Sequence, residues 1–354
     1  MNQTALLHIV ERLESFVGKL PETIRRPVLS ELTPLKELFL QQRPPRFLFV
    51  GSSKMPMVQI IHALFSPGAE EQMTVAVTLV HRWTDWNIPN SGTVSVLDAR
   101  DADDAVEVAV EKELNRQPAD IVFFLDDGQK RLPQLATHGE ARIVGIAIGN
   151  EGRAEELKQW VTAQPATRDR LLQVICFSEK QSAEASEVMS ILSRQLPNEA
   201  KIEMIRISRD PEAQHHVARV LVKSTTAICT AIGTQPIPLA DLPILTTLQL
   251  VMVSGIMYIS GRERSLRAAT EFLGALGANV GAGMLLREGT RALLKFFPGW
   301  GNVVCGMVAG AGTYAIGRAA TAYFLEGVSL KDARRTYLTS RRRRTSPSLS
   351  SRNS

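Results

Sequence analysis

Short apolar runs that alternate with helical patterns dominate the sequence between Arg46 and about residue 200. The runs lie at 47–50, 75–80, 93–97, 121–125, 143–148 and 172–177. Apolar residues at helical spacing lie between most of them, over 58–65, 105–114, 154–161 and 183–196. Strands that alternate with helices predict βαβ units and a mostly parallel sheet with both faces covered. We therefore expect a doubly wound α/β domain over residues 46–210.

The segments on either side of this domain show helical patterns with almost no strand signal. Residues 1–45 repeat apolar side chains at helical spacing and predict an amphipathic helical segment that packs on a neighbouring domain. Residues 211–330 are rich in Ala, Gly, Leu and Met, and their breaks predict an apolar bundle of four or more helices. The sequence thus predicts an α/β domain between an N-terminal helical segment and a C-terminal all-α domain.

The positive charge of the chain is concentrated in residues 331–354. This segment holds eight Lys or Arg and one Asp, a charge of +7, so residues 1–330 carry −2 of the net +5. A Ser- and Arg-rich segment cannot bury much apolar surface, and we expect a basic disordered tail. Its charge would attract an anionic membrane surface. A solvated tail without a ligand is an alternative, and non-specific binding to nucleic acid is an alternative that we do not favour.

Residue types that carry enzymatic chemistry form no known motif in this sequence. The three cysteines, Cys176, Cys229 and Cys305, lie far apart and in no CxxC pair, which argues against a disulfide framework or a cysteine zinc site. The adjacent His215 and His216 would face different directions on a helix. We therefore predict no metal site and assign no catalytic residue.

The first predicted strand leads into a loop at the usual position of a phosphate-binding loop. Backbone N–H groups and the helix dipole favour anions where a strand passes through such a loop into a helix. The candidate phosphate ligands are Gly51, Ser52, Ser53 and Lys54.

This loop lacks most of the groups that hold a nucleotide phosphate. Against the pattern GxxxxGK(S/T), only Gly51 matches. Pro56 stands at the second glycine, Met57 at the phosphate-binding lysine and Val58 at the magnesium-binding hydroxyl. The sequence therefore predicts a degenerate phosphate loop without catalytic competence.

Two stretches of the chain resemble a known pair of domains. Residues 43–65, with Ile-His-Ala-Leu-Phe after the loop, resemble the start of a bacterial Era-like GTPase domain of the translation-factor-related class. Residues 235–328 resemble the YcjF-type helical domain of unknown function that accompanies such GTPases, through 235–243, 294–302 and 312–320. The resemblance implies a P-loop NTPase fold and GTP as the ligand.

Other motifs of that family are also altered here. Where the family carries DxxG, residues 98–101 read Asp-Ala-Arg-Asp, so Asp98 is retained as a candidate cofactor-binding residue and the glycine is replaced. Where the family carries NKxD, residues 149–152 read Gly-Asn-Glu-Gly. Ser178 stands near the position of the last base-contact motif. Asp126 and Asp127 end a predicted strand and could serve a site or cap a helix.

Two stretches of the C-terminal domain are long and uncharged. Residues 242–261 and 296–317 hold 20 and 22 residues without a charge, nominally enough to cross a bilayer of about 30 Å. Both stretches contain polar residues, and the segment 262–295 between them holds six basic residues. This pattern favours a buried bundle, or shallow contact with a membrane, over a hairpin of two membrane spans. We expect a location at the cytoplasmic side of the membrane, peripheral or integral, with the cytoplasm as the alternative.

These observations favour a GTPase-like binding or scaffolding protein that does not turn over nucleotide. It would need no cofactor, or would bind GTP weakly. The alternative is a divergent, functional GTPase that holds phosphates with Ser52, Ser53, Lys54 and backbone groups. Partners would be another protein or a second copy through the helical domain, and an anionic membrane through the tail.

Overall fold

The computed structural model describes residues 17–18, 21–39, 42–65, 81–88, 91–177, 182–234, 241–277 and 300–345. The chain divides into two compact units. We call the unit within residues 42–210 the α/β unit. The helical unit takes its described residues from the chain up to residue 41 and from residue 211 onward.

Six strands and twelve α-helices are described. The strands are β1 (Arg46–Gly51), β2 (Thr84–Ile88), β3 (Gly92–Arg100), β4 (Ile121–Asp126), β5 (Arg142–Ile148) and β6 (Leu171–Phe177). The helices of the α/β unit are α2 (Met57–Phe65), α3 (Asp104–Arg116), α4 (Gln134–Thr137), α5 (Glu151–Ala163), α6 (Ser182–Gln195) and α7 (Asn198–Ser208). Those of the helical unit are α1 (Glu22–Phe39), α8 (Pro211–Gly233), α9 (Asp241–Ile259), α10 (Leu266–Gly277), α11 (Trp300–Phe324) and α12 (Leu330–Thr345).

The six strands form one sheet in the order β2-β3-β1-β4-β5-β6. β2 runs antiparallel to β3, and the other neighbouring strands pair in parallel. The predicted α/β class with a mostly parallel sheet is confirmed. β2 was missed in the sequence because it is a short edge strand in which only Trp86 and Ile88 are buried. The predicted run 75–80 lies outside the described residues.

Alternate residues of β1 are buried on opposite faces of the sheet. Phe47 and Phe49 belong to a core that includes residues of α2, α6 and α7. Leu48 and Val50 belong to a second core with residues of α3 and α5. Burial on both faces explains why β1 reads as a continuous apolar run, and it fixes the strand at the centre of the sheet.

The helical unit is built around α8, which contacts α1, α9 and α11. Val28 and Leu32 of α1 share a core with Ile228 of α8. The Ser224 hydroxyl of α8 donates a hydrogen bond of 2.6 Å to Glu31 of α1. The N-terminal segment, which sequence analysis treated as separate, therefore supplies a helix to the helical unit.

Helix α12 extends over residues where the sequence predicted a disordered tail from Lys331 to Ser354. Ser329 accepts a hydrogen bond from the Asp332 N–H at 3.2 Å and donates one to its carboxylate at 2.6 Å, which starts the helix. Ala333 and Tyr337 are four residues apart and buried, so one stripe of this basic segment does have apolar surface to pack. Residues 346–354 lie outside the described part of the chain.

In the parts of the chain that the structure describes, no helix combines the length and the apolar character needed to cross a membrane.

Helices α8 and α11 approach closely along a row of glycines that we call the glycine seam (Gly306, Gly310 and Gly317). A Cβ atom added at Gly317 would lie 2.5 Å from Cγ2 of Val222, and one at Gly310 would lie 2.1 Å from Oγ1 of Thr230. Such distances are below van der Waals contact, so the two backbones can approach only without side chains at these positions.

Substitution of Gly317 by alanine is expected to destabilise the protein. Alanine gains about 1 kcal/mol in helix propensity over glycine. Overpacking against the stiff β-branched Val222 costs about 1–3 kcal/mol, so we expect a net loss of about 1 kcal/mol. Urea unfolding followed by circular dichroism measures this difference.

Gly312 provides the matched control on the same helix. A Cβ atom at Gly312 meets nothing within 4 Å. Gly312→Ala should therefore stabilise the helix by up to about 1 kcal/mol. Equal effects of the two substitutions would contradict the packing role of Gly317.

Candidate functional site

A polar cleft of about 610 Å³ lies at the carboxyl ends of β1, β3 and β4. The chain leaves β1 towards β2 and β3 on one side, then crosses to β4 on the other. Open α/β sheets bind ligands where the strand order reverses in this way. Gly51, Ser52 and Lys54 line the cleft, so the structure places the predicted loop at the site favoured by the fold.

Gly51 sets the path of the loop after β1. Its φ of +103° lies in a region that side chains disfavour, and a Cβ atom there would lie 2.2 Å from the carbonyl oxygen of Leu125. The close approach lets the Ser52 N–H donate a 3.0 Å hydrogen bond to that carbonyl in β4. The loop is thereby fixed against β4 before α2 begins.

The Asp101 carboxylate binds the loop from the end of β3. It accepts a 2.9 Å hydrogen bond from the Ser53 N–H and a second bond from the Ser53 hydroxyl. Asp101 itself adopts φ of +48°, and its N–H donates to the Gly51 carbonyl at 2.8 Å. The two donors of Ser53 hold the pKa of Asp101 below its ordinary value. A carboxylate thus occupies donors that could face a phosphate.

Asp127, which follows β4, binds the same loop from the other side. Its carboxylate accepts a 3.0 Å bond from the Ser52 hydroxyl and lies 3.6 Å from Nζ of Lys54. Burial acts to raise its pKa, but the Ser52 hydroxyl, the Gln129 N–H and the Lys54 charge outweigh burial and hold the pKa below the ordinary value. The Ser52 hydroxyl and the Lys54 ammonium are therefore also paired with a carboxylate.

Met57, which stands at the lysine position of the pattern GxxxxGK(S/T), belongs to the hydrophobic core. Met57 is 3% exposed and shares a core with Ile60 and Met55. The carbonyl of Pro56 accepts the Ile60 N–H at 3.0 Å, as in the first turn of a helix, whereas proline has no N–H to offer. This part of the loop supplies packing where the family supplies phosphate ligands.

Asp98 lies apart from Gly51, Ser52 and Lys54, the predicted ligands that line the cleft, and Ser53 is not among the lining residues either. Arg100 holds its carboxylate with two bonds of 2.7 and 2.8 Å, and the same guanidinium donates to the Met55 carbonyl at 2.8 Å. Asp98 is absent from the residues that line the cleft. In this arrangement it braces the loop through Arg100.

The remaining family positions have structural partners. The Asn150 side chain accepts the Arg153 N–H and caps α5. Asp126 is buried and accepts the Lys130 N–H at 3.0 Å, which shapes the turn after β4. Ser178 lies outside the described residues.

The cysteines show no nucleophilic environment where they are described. Cys176 and Cys229 are buried, and neither forms a disulfide. Burial raises the pKa of Cys229 to about 12, so its thiolate is scarce near neutral pH. The side chain of Cys305 lies outside the described part of the chain.

The cleft as a whole is acidic. The ionisable residues that line it comprise five carboxylates and two cations, a net charge of −3: Asp101, Asp104, Glu107, Asp126, Asp127, Lys54 and Arg131. This excess of negative charge repels a nucleoside triphosphate. The described residues contain no group of three His, Cys, Asp or Glu side chains that could hold a metal ion.

The contact of Asp101 with the loop had no clear sequence signal. It stands where the family has glycine and reads as a simple loss, because Ser53 lies 48 positions earlier in the chain. The sequence predicts Asp127 at the end of a strand, but only the fold brings it to its partners Ser52 and Lys54. The pairing of β1 with β3 and β4 brings both carboxylates to the loop.

The two serines are expected to control the acidity of the two aspartates. Ser53→Ala should raise the pKa of Asp101 towards the ordinary value of about 3.9. The substitution removes the hydroxyl donor, and it weakens the loop geometry that holds the backbone N–H against the carboxylate. Ser52→Ala should do the same for Asp127. Carboxyl titration by nuclear magnetic resonance measures both groups in each variant.

Each serine variant serves as the control for the other. Since both pKa values are depressed in the folded state, these contacts stabilise the fold above the ordinary Asp pKa and lose this effect as pH falls through the folded pKa. Equal responses of both aspartates to either substitution would contradict the specific pairing.

No protein-family model matches this chain, and no curated protein matches it with significant sequence similarity. The function of the chain therefore has to be inferred from its own residues and their geometry.

Proposed function

We propose that this chain is a GTPase-like protein that binds partners and does not turn over nucleotide. The observation that carries this proposal is that two carboxylates of the same chain occupy the donors of the loop, an arrangement that we call loop closure. Asp101 takes both donors of Ser53, and Asp127 takes the hydroxyl of Ser52 and faces Lys54. These carboxylates stand in for the phosphate oxygens that such a loop would otherwise bind.

The sheet supports the likeness to a GTPase domain. Its order is β2-β3-β1-β4-β5-β6, with β2 antiparallel and the loop at the carboxyl end of β1. The resemblance to Era-like GTPases implies a doubly wound sheet with a phosphate loop after its first strand, and the observed sheet is compatible with that implication. A P-loop NTPase-like, doubly wound fold is therefore part of the proposal.

Electrostatics argue against nucleotide turnover at this loop. A triphosphate needs fixed positive charge, supplied in the family by a lysine and a magnesium ion. Here Met57 is in the core at the lysine position, and the cleft carries a net charge of −3. Entry of a phosphate would also break the bonds that Ser52 and Ser53 make to carboxylates.

The helical unit and the basic C-terminal segment supply the binding surfaces in this proposal. The helical unit would mediate self-association or binding of another protein. Residues 341–354 hold five arginines and would attach the protein to an anionic membrane surface at its cytoplasmic side.

A functional, divergent GTPase is the second candidate. It rests on Lys54, whose side chain is 72% exposed and lines the cleft. In that case Lys54 would leave Asp127 and hold a phosphate with the loop backbone.

Nucleotide binding separates the two candidates. We expect no binding of a fluorescent GTP analogue to the full chain at about 1 mM, with or without magnesium. Asp101→Ala/Asp127→Ala frees the loop donors and should bring binding of pyrophosphate into the millimolar range. Micromolar, magnesium-dependent and guanine-selective binding by the unaltered chain would overturn the proposal.

Asp104→Ala/Glu107→Ala is the matched control for the double variant. It removes the same charge from the lining of the cleft, yet neither residue bonds to a loop donor in the described structure. If this control variant promotes pyrophosphate binding equally, the net charge of the cleft, and not loop closure, is what prevents phosphate binding.

The membrane proposal predicts a role for the residues after Ser340. α12 packs through Ala333 and Tyr337, so a chain that ends at Ser340 keeps these contacts. It loses five arginines, each worth about 1 kcal/mol near an anionic surface. We expect its sedimentation with phosphatidylglycerol vesicles to fall by at least about tenfold.

A full-length chain with Arg341 to Arg344 changed to glutamine controls for the loss of length. It should lose binding to a similar extent, and phosphatidylcholine vesicles should bind none of the proteins. Unchanged binding by both altered chains would remove the tail from the proposal.

A further inference from the structure

A second cavity, of about 720 Å³, lies between α8 and α11 in the helical unit. We call it the basic groove. Its size falls within the range of about 300–1,000 Å³ typical of small-molecule sites. It belongs to a different unit from the acidic cleft, and the function proposed above makes no use of it.

Basic residues line this groove. His215, Arg219 and Lys223 recur every four residues along α8, and Arg318 comes from α11. Among the described residues that line the groove there is no Asp or Glu. Within the described part of the chain, Arg219, Lys223 and Arg318 form no ion pair.

This stripe of like charge has a cost that the fold does not explain. Cations four residues apart on a helix destabilise it by about 0.2–0.5 kcal/mol per pair. Arg219 and Lys223 are exposed, so neither supports the core of the unit. An anion bound between them and Arg318 would turn this repulsion into attraction.

The floor of the groove is apolar and holds one unsatisfied hydroxyl. Val222, Ala227 and Ala231 line it beside the cations. Thr226 is 7% exposed, and its Oγ1 has no hydrogen-bond partner. This oxygen is buried beneath the surface of the groove, so the contacts that the groove offers to a ligand are the basic and apolar side chains that line it.

The glycine seam keeps this groove in its present shape. Gly317 contacts Val222 so closely that a Cβ atom would lie 2.5 Å from Cγ2. Arg318 follows directly and lines the groove. The backbone contact that joins α8 to α11 therefore also sets the distance between the cations of the two helices.

We propose that the basic groove binds an anionic amphiphile with a phosphate or carboxylate head group and a single hydrocarbon chain. Arg219, Lys223 and Arg318 hold the head group by charge-assisted hydrogen bonds. Val222, Ala227 and Ala231 cover part of the chain. Three cations beside an apolar floor complement both ends of such a molecule, whereas an inorganic anion would leave the floor uncovered.

The test is calorimetric titration of the full chain with dodecyl phosphate below its micelle concentration. We expect one molecule per chain, bound at least about tenfold more tightly than inorganic phosphate or the neutral dodecyl maltoside. No binding at about 1 mM, or equal binding of the neutral detergent, would overturn the proposal.

Two variants separate the groove from general surface charge. Arg219→Gln/Arg318→Gln should weaken binding by at least about tenfold with the melting temperature unchanged. Lys331→Gln/Arg335→Gln changes the net charge equally on exposed positions of α12 and should leave binding unaltered. Equal weakening by both pairs would show attraction to the whole protein and overturn the proposal.

Ala227→Trp tests the cavity while Arg219, Lys223 and Arg318 are kept. Ala227 is exposed and lines the groove, so a tryptophan can fill the space without entering the core. It should abolish binding of dodecyl phosphate, and unchanged binding would overturn the proposal. The single-chain lipid lysophosphatidic acid, offered in phosphatidylcholine vesicles, separates two sources of the ligand. Vesicle binding that Ala227→Trp abolishes identifies a bilayer lipid as the source, and binding of dodecyl phosphate monomers alone identifies a free amphiphile.

Discussion

The missing side chain at Gly51 is the constraint on which the candidate site depends. The chain passes so close to the Leu125 carbonyl that a Cβ atom would lie 2.2 Å from its oxygen. This contact ties the end of β1 to β4 and directs the next residues into the loop. Ser52 then faces Asp127, and Ser53 faces Asp101. Any larger residue would move the loop away from both carboxylates and from the start of α2.

Loop closure by carboxylates uses the chemistry of anion binding without an external anion. A backbone N–H and a hydroxyl that could face a phosphate instead bind Asp101, whose charge they stabilise. Lys54 faces Asp127 in a similar way. A loop that satisfies its donors internally keeps its shape without a nucleotide.

The helical unit uses a different constraint, the close contact of two helix backbones. Gly310 and Gly317 let α11 approach α8 below the distance that any side chain would permit. The same approach aligns Arg318 with Arg219 and Lys223 along one groove. Packing and charge are therefore coupled, since a shift of α11 would change both the core and the spacing of the cations.

The sequence by itself determined the α/β class and the mostly parallel strands, because burial on both faces of a sheet produces continuous apolar runs. It also predicted a loop after the first strand in which Pro56 and Met57 offer no phosphate ligand. Local patterning could not reveal β2, where only Trp86 and Ile88 are buried, or the helix that begins at Leu330 in a basic segment. Tertiary structure alone decided that Asp101 and Asp127 reach the loop and that α8 and α11 form a basic groove. Such contacts join residues far apart in the chain, and their distances are set by strand pairing and helix packing, which no local spacing records.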